Sequence, residues 1–311
     1  MIRLVLVLGL LGFAAHAQPP AGARLETEYK LAVPRGEDEV VWRWLRAYYA
    51  HTKPPALGAG WTSNFGEETF RDRYFDVAAN TLMGARAGLR HRQRFDTTGR
   101  LTKQLVQLKT TDDAAGLLRQ ELKFKPVEGA TAETPLADLL HPADRLLLDA
   151  ALAPLGVALA DVAPAFVLAQ RRRRLYFLLD GAAFSTITLD SSYCEGRPAA
   201  TFTEIELELN EKRYTGASEA ERTRMRVILD SIRADMFRQF PALQQDQRPK
   251  YEKMARLLAA QPKGAVSVEE GAGATSVDPP YPKSRAPYWV GGALVGLALG
   301  WWVLRRQRRR Q

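Results

Sequence analysis

Charged and less polar residues alternate with a period of two in several segments of the chain. In the segment 24–30 this places Glu26, Glu28 and Lys30 on one face of a predicted strand, because successive strand side chains point to opposite sides. The segment 203–209 repeats the pattern, with glutamates on one face and aliphatic residues on the other. Its glutamates are Glu204, Glu206 and Glu208. The simplest interpretation is a charged face in solvent.

Other segments have the period of two, or the period of an amphipathic helix. Further strands are predicted at 70–76, 88–95, 101–110, 119–125, 171–177 and 184–190. A helix is predicted at 37–49, two short helices within 136–166, and a long helix at 219–240. About seven strands would therefore have one apolar and one charged face.

The charged faces carry both signs in quantity, which gives an alternative to simple exposure. If the sheet closes with its polar side inward, carboxylates would face arginines and lysines across a lumen. Clustered carboxylates repel one another unless a hard divalent cation lies among them, and arginine forks with lysines can hold successive phosphates. The acidic set is Glu26, Glu28, Glu204, Glu206 and Glu208, and the basic set is Lys30, Arg90, Arg92, Lys109, Arg172 and Arg174.

The two ends of the chain predict export and anchoring. Residues 1–17 have the early charge, apolar run and small-residue cleavage site of a signal peptide, with an uncleaved anchor as the alternative. Residues 288–304 are uncharged, flanked by tryptophans and followed by a basic tail at 305–311, as in a transmembrane helix with a cytoplasmic tail. A flexible stalk is predicted at 263–287. The domain, 18–262, would then lie on the periplasmic or extracytoplasmic side of the cytoplasmic membrane.

The terminal segments also allow predictions about a second copy of the chain and about nucleic acid as binding partners. Glycines recur every fourth residue in the apolar run and predict at most a weak homodimer; they are Gly292, Gly296 and Gly300. Without Arg3 and the five arginines of the tail, the net charge of +9 falls to +3 for residues 18–287, so no nucleic-acid partner is expected. Cys194 is the single cysteine, which excludes an intramolecular disulfide.

Eight short motifs together resemble one known family. In chain order they are Glu-x-Glu-x-Lys at 26–30, Tyr-Phe-Asp at 74–76, Leu-Arg-x-Arg at 89–92, Leu-Lys at 108–109, Arg-x-Glu at 119–121, Leu-Asp at 189–190, Glu-x-Glu-x-Glu at 204–208 and Lys-Tyr at 250–251. Each motif is weak alone, but the ordered set resembles the CYTH domain, or triphosphate tunnel metalloenzyme, superfamily over residues 24–255. The resemblance implies an α+β fold, mainly antiparallel β, in which an eight-stranded barrel with flanking helices binds a linear triphosphate.

The resemblance also implies roles for individual residues. Mg²⁺ or Mn²⁺ would be held by carboxylates from the set Glu26, Glu28, Asp190, Glu204, Glu206 and Glu208. The phosphates would be held by Lys30, Arg90, Arg92, Lys109, Arg172 and Arg174. The catalytic candidates are Glu204, Glu206 and Lys250, of which Lys250 would line or plug one end of the tunnel. One of the glutamates at 204, 206 or 208 could position the attacking water.

Two features depart from the family pattern. Lys123 stands where many members have another glutamate, and the run of arginines at 171–174 leaves open which pair faces inward. Most members are also cytosolic.

The leading hypothesis is a metal-dependent phosphohydrolase that cleaves the phosphoanhydride of a linear triphosphate or polyphosphate. The alternatives are a non-catalytic, membrane-tethered module that binds polyphosphate or triphosphate, a polyphosphate-synthesising enzyme and an adenylyl cyclase. A cyclase is disfavoured by the predicted location, where nucleoside triphosphates should be scarce.

Overall fold

Residues 24–50, 60–111 and 118–260 are described by the computed structural model. The predicted signal peptide, stalk, membrane helix and basic tail, with the glycines at 292, 296 and 300, lie outside the described residues. Among the helices that are described, none is long and apolar enough to cross a membrane.

Alternating segments of the sequence form long antiparallel strands. Within the described ranges the strands are β1 (Arg24–Val33), β2 (Trp61–Asp76), β3 (Gly88–Phe95), β4 (Leu101–Thr111), β5 (Leu118–Phe124), β6 (Ala163–Leu179), β7 (Ala182–Cys194), β8 (Arg197–Leu209) and β9 (Gln244–Gln245). The α-helices in the same ranges are α1 (Asp38–Tyr49), α2 (Thr81–Gly84), α3 (Pro142–Leu152), α4 (Glu211–Gly216), α5 (Glu219–Gln239) and α6 (Lys250–Ala260). Short 3₁₀ turns flank α3.

Eight of these strands pair as a closed ring. Their order is β5-β4-β3-β2-β6-β7-β8-β1, and β1 pairs back to β5; the short β9 pairs with the outer part of β1. The closure is uneven, because β1 and β5 pair only at residues 24–27 and 118–121, whereas β2 and β6 pair along their whole lengths. The predicted antiparallel, eight-stranded α+β fold is therefore confirmed as an uneven ring rather than a regular barrel.

The hydrophobic core lies outside the ring, between the sheet and the helices. The outward residues Leu31, Ile205 and Leu207 pack in one cluster with residues of α1 and α5. A second cluster lies under α3, which packs on the outward residues of β3 and β4. Because the apolar face of each strand is covered from outside, its charged face is left pointing into the ring.

Several predicted elements have different limits or faces in the structure. The helix predicted at 37–49 forms, and its buried face includes Trp42 and Tyr49 but not Val40, which is 42% exposed. β6 begins at Ala163, inside the stretch predicted to be helical, because these residues continue the pairing with β2. The helix α6 was not predicted.

Candidate functional site

The ring encloses a cavity of about 330 Å³ whose lining is mostly charged. Eleven lysines and arginines and six glutamates line it, an excess of five basic side chains. The lining includes these predicted site residues: Glu26, Glu28, Lys30, Arg90, Arg92, Lys109, Arg172, Arg174, Glu206, Glu208 and Lys250. Asp190 and Glu204 are fully buried directly behind the lining, in contact with Lys250. The structure thus brings all the predicted site residues to one place.

Two arginines of β3 are held by one buried carboxylate of β2. Asp72 accepts hydrogen bonds from Arg92 Nε at 2.7 Å, Arg92 Nη2 at 2.6 Å and Arg90 Nη1 at 3.1 Å. Burial alone raises the pKa of Asp72, but Arg90 and Arg92 lower it by more, so its pKa is below the usual range. The two guanidinium groups are therefore held in place before any ligand binds.

The alternating pattern contained a signal for Asp72 that sequence reasoning missed. Asp72 lies between Phe70 and Tyr74 at a spacing of two, and both of these line the cavity. Glu68, Glu121 and Lys253 were missed as well. Of the missed residues, Glu121 belongs to the Arg-x-Glu motif and lies on the inward face of β5.

Arg172 of β6 has a corresponding carboxylate on β7. Its Nε donates to Asp190 Oδ1 at 2.7 Å, and its Nη2 donates to Glu206 Oε2 at 2.7 Å. Burial lowers the pKa of Arg172, but Asp190 and Glu206 raise it by more, so the guanidinium stays charged. Arg172 and Arg174 line the cavity, and this shows which pair of the arginine run faces inward.

Several carboxylates and one lysine lie along the seam between β1 and β8. Glu28 lies directly opposite Glu208, and Lys30 lies opposite Glu206. Lys30 Nζ contacts Glu206 and lies 3.2 Å from Glu28 Oε1. This cross-strand register explains why the Glu-x-Glu-x-Lys and Glu-x-Glu-x-Glu motifs occur together, since each supplies half of the same wall.

One carboxyl group of this seam lacks a compensating cation. Burial, followed by the charge of Glu26 and that of Glu28, raises the pKa of Glu208 to about 8, and Lys109 offsets this only in part. Lys109 instead bonds Glu26 at 2.5 Å. Within the described residues no lysine or arginine forms an ion pair with Glu208. A surplus of carboxylate oxygens at one point of a basic cavity fits a hard divalent cation such as Mg²⁺ or Mn²⁺.

A second group of carboxylates is more compact but already holds lysines. Ligand atoms of Asp190, Glu204 and Glu206 lie within 4.8 Å of one another. Lys250 Nζ lies among them, 3.0 Å from Asp190, 2.6 Å from Glu206 and in contact with Glu204. Lys253 Nζ also donates to Glu204 at 2.6 Å. This group is the tighter one, but lysines already occupy it. Glu26 and Glu28 also have cationic partners, Lys109 and Lys30, whereas Glu208 has no ion pair among the described residues, so Glu26, Glu28 and Glu208 form a second candidate metal site.

The N-terminal turn of α6 covers one end of the cavity. The Tyr251 ring stacks on Tyr74 and on Phe166, each with ring centroids 5.3 Å apart, and its hydroxyl donates to Asp76 Oδ2 at 2.9 Å. Lys250 and Tyr251 are both buried. Lys250 was predicted to line or plug one tunnel end, and the structure places it in the cavity lining.

Comparisons with known proteins place this architecture in a family. A comparison with curated proteins finds no match. Three solved structures are similar at low identity. The PH1819 protein of Pyrococcus horikoshii OT3 is 15% identical, with 74% of this chain and 98% of that chain covered and a TM-score of 0.41. HpAC1 of Hippeastrum, which has a dominant triphosphatase activity, is 18% identical, with 68% and 87% covered and a TM-score of 0.38. The Mimivirus capping enzyme triphosphatase is 11% identical, with 67% and 90% covered and a TM-score of 0.32.

The sequence match extends over most of the ring. The family description of the CYTH domain matches residues 24–232, a range that begins at β1 and ends within α5. It includes every strand that lines the cavity. The chain therefore belongs to the CYTH domain family.

Proposed function

We propose that this protein is a metal-dependent phosphohydrolase that cleaves the terminal phosphoanhydride bond of a linear triphosphate or polyphosphate. The observation that carries the proposal is that Glu26, Glu28 and Glu208 line one cavity together with fixed arginines inside a closed ring, and that Glu208 has no ion pair among the described residues. A cavity that only bound an anion would need the basic wall but not these carboxylates. The two together suit a cation that bridges the protein and the phosphates.

The basic wall would bind and orient the phosphate chain. Arg90, Arg92 and Arg172 are each held by a buried carboxylate, so their remaining N–H groups point into the cavity at little reorganisation cost when charge develops on the transferring phosphoryl group. Lys30 of β1 and Lys109 of β4 add point charges to the cavity wall. Such preorganised donors stabilise the transition state more than they stabilise the flexible substrate in water.

The carboxylates at 26, 28 and 208 would hold the cation. A bound Mg²⁺ or Mn²⁺ supplies Lewis acidity towards a phosphoryl oxygen and lowers the pKa of coordinated water. Glu206 has a pKa well below its ordinary value: burial alone raises it, but Lys250, Lys30 and Arg172 lower it by more. Glu206 therefore serves to hold these three cations in place rather than to accept a proton.

Lys250 would act as a fixed positive charge at the covered end. Burial lowers the pKa of Lys250, but Glu204, Glu206 and Asp190 raise it by more, so the ammonium is retained at neutral pH. It would stabilise negative charge on the phosphate at that end of the chain. Of the predicted catalytic residues, Glu204 and Glu206 are thus proposed to position Lys250.

Location and substrate class extend the proposal. We propose that the domain works outside the cytoplasm, tethered to the membrane through residues 288–304, where inorganic triphosphate or polyphosphate is a better substrate than a nucleotide. A second candidate function is a tethered, non-catalytic receptor for polyphosphate. It is favoured by one observation, that Lys250 already balances the Asp190, Glu204 and Glu206 group without a metal.

Phosphate release from tripolyphosphate, long-chain polyphosphate and ATP by the full-length protein tests the proposal. The assay is run with Mg²⁺, with Mn²⁺ and with EDTA. We expect metal-dependent release from the first two substrates. Glu28→Gln should lower kcat/KM at least about a hundredfold, which corresponds to about 2.7 kcal/mol, because it removes a ligand and a charge from the proposed metal site.

A matched control comes from the outer face of the ring. Glu67 lies on β2 beside the inward Glu68 and pairs with Arg171 outside the cavity, so Glu67→Gln should leave kcat/KM within about twofold. Full metal-dependent turnover in Glu28→Gln would contradict the proposal. Tight binding of tripolyphosphate by a folded protein that releases no phosphate would establish the receptor instead.

A further inference from the structure

The cavity opens to solvent at one end, and the exposure of its arginines shows the direction. Along β3 the side chains of Arg90, Arg92 and Arg94 are 9%, 11% and 42% exposed. Gly88, at the start of the same strand, lies against Tyr251 of α6. The six residue steps from Gly88 to Arg94 span roughly 20 Å of strand, so the covered end and the open end lie at opposite ends of the cavity.

Cations outnumber carboxylates at this open end, which we call the mouth and define by Arg94, Lys103, Lys123 and Glu68. Arg94 contacts Glu68, but Glu68 Oε1 also forms an ion pair with Arg174 Nη2 at 2.6 Å, so two cations share one carboxylate. Lys123 contacts Glu121, which Lys109 also approaches at 3.5 Å.

Lys103 adds a further cation to this end of the cavity. It lies opposite Arg94 in the β3–β4 pair and is exposed, and none of the described carboxylates pairs with it. The mouth is therefore left with net positive charge that no group of the described chain neutralises.

We propose that the mouth binds phosphates beyond those held in the cavity, and that the protein shortens long linear polyphosphate from a chain end. This inference rests on the proposed function and adds the substrate class to it. Because α6 covers the far end, a polyanion cannot pass through the ring and has to enter end first. Its leading phosphates lie along Arg172, Arg90 and Arg92 towards Lys250, and the rest of the chain leaves past Arg94, Lys103 and Lys123.

The reaction that follows is an ordinary hydrolysis at the leading end. The oxygen of water bonds to the terminal phosphorus, the bond from that phosphorus to the bridging oxygen breaks, and the bridging oxygen stays on the remaining chain. Orthophosphate and a chain one phosphate shorter are formed, and the proton of the water is released to solvent. Lys123, a departure from the family pattern, thus gains a role as part of a site for the trailing chain.

The test compares long-chain polyphosphate with tripolyphosphate in the full-length protein. The variant is the triple substitution Arg94→Gln, Lys103→Gln and Lys123→Gln. Glu68 keeps Arg174 as a partner and Glu121 keeps Gln107, so the variant should fold. We expect the ratio of KM for the long chain to KM for tripolyphosphate to rise about tenfold. Each exposed cation alone should strengthen binding of the long chain by less than about tenfold, and the variant removes three.

A control triple variant removes the same charge elsewhere. Lys212→Gln, Arg224→Gln and Arg238→Gln change exposed cations of α4 and α5, and should leave the ratio within about twofold. Equal ratios in the mouth variant and the control would overturn the inference. If the wild-type protein hydrolyses nothing, the proposed function fails, and the ratio of the two dissociation constants, measured by calorimetry, still tests the mouth.

The products test attack at a chain end independently. Gel analysis of long-chain polyphosphate should show orthophosphate as the first product together with gradual shortening. A chain whose two terminal phosphates are blocked as phosphoramidates should resist cleavage. Early fragments of intermediate length, or hydrolysis of the blocked chain at the unblocked rate, would overturn end-first entry while leaving the proposed hydrolase intact.

Discussion

The side chains of four consecutive arginines of β6 point alternately to the outside and the inside of the ring. Arg172 and Arg174 line the cavity, whereas Arg171 Nε bonds Glu67 at 2.7 Å and Arg173 Nη1 bonds Glu39 of α1 at 2.6 Å, both outside the cavity. The side chain of Arg173 is only 2% exposed, with its guanidinium 5.5 Å from the Trp42 ring centroid. Neighbouring residues of one type therefore have different roles, a direct consequence of the period of two.

Separate substitutions of Arg172 and Arg173 should show that one residue affects catalysis and the other affects stability. Arg172→Met removes charge-assisted hydrogen bonds to the substrate, and we expect kcat/KM for tripolyphosphate to fall about tenfold or more. Arg173→Met should lower the free energy of unfolding by about 1–2 kcal/mol, since its partners on α1 are partly exposed, with kcat/KM within about twofold. Steady-state kinetics and urea unfolding measure both. A larger catalytic defect in Arg173→Met than in Arg172→Met would contradict the assignment of faces.

At the level of elements, α6 is attached to the ring by both aromatic and charged contacts. Tyr251 stacks between the ring strands β2 and β6 through Tyr74 and Phe166, and its hydroxyl bonds Asp76. Asp76 also accepts from the backbone N–H groups of Leu82 and Met83, so one carboxylate connects α6 with α2. The element that covers the cavity is thus fixed by the first turn of its own helix.

Removing one hydroxyl should loosen this cover. Tyr251→Phe keeps the aromatic stack but deletes the bond to Asp76, and we expect a loss of about 1 kcal/mol in the free energy of unfolding. Backbone amides of α6 should exchange with deuterium about five times faster, measured by mass spectrometry. The comparison is Tyr176→Phe, which removes a hydroxyl that accepts from Arg174 near the mouth. Equal exchange of α6 in the two variants would show that the hydroxyl does not hold the helix.

Across the whole molecule, an ionised interior replaces the usual apolar one inside the ring. The hydrophobic clusters lie outside, and the interior depends on carboxylates that remain charged among lysines and arginines. Burial alone raises the pKa of Glu204, but Lys250 and Lys253 lower it to about 2. Arg90 and Arg92 likewise lower the pKa of Asp72, against the effect of its burial. The stability of the molecule should therefore depend on acid pH more strongly than on salt, because buried pairs are screened little.

Acid should destabilise the fold in a defined pH range. A carboxyl group whose pKa is lower in the folded state stabilises the fold above its unfolded pKa, near 4, and this stabilisation is lost as pH falls through the folded pKa. The groups with lowered pKa should make the free energy of unfolding fall below about pH 4, whereas Glu208, whose pKa is raised, acts in the opposite sense at higher pH. Asp72→Asn should flatten part of this fall and cost about 3 kcal/mol at pH 7, because it leaves two buried arginines without their counter-charge.

Chemical unfolding at several pH values measures this, with Asp138→Asn as the comparison. Asp138 is 65% exposed and lies 3.8 Å from Arg145, so its substitution should change the free energy of unfolding by less than about 0.5 kcal/mol. An acid limb of unchanged slope in Asp72→Asn would show that Asp72 is not among the groups that titrate on unfolding.

The sequence by itself determined which residues form strands and which of their side chains share a face, since the period of two is a local property of the backbone. It also identified eleven of the residues that line the cavity. Only the tertiary structure decided which charges meet. Lys250 reaches Glu206 across 44 positions, and Lys30 reaches it across 176. Such pairs depend on how the registers of all eight strands add up when the ring closes, a global condition that no local pattern specifies. For the same reason the pairing of Asp72 with Arg90 and Arg92, and the stacking of α6 on the ring, became evident only in the folded chain.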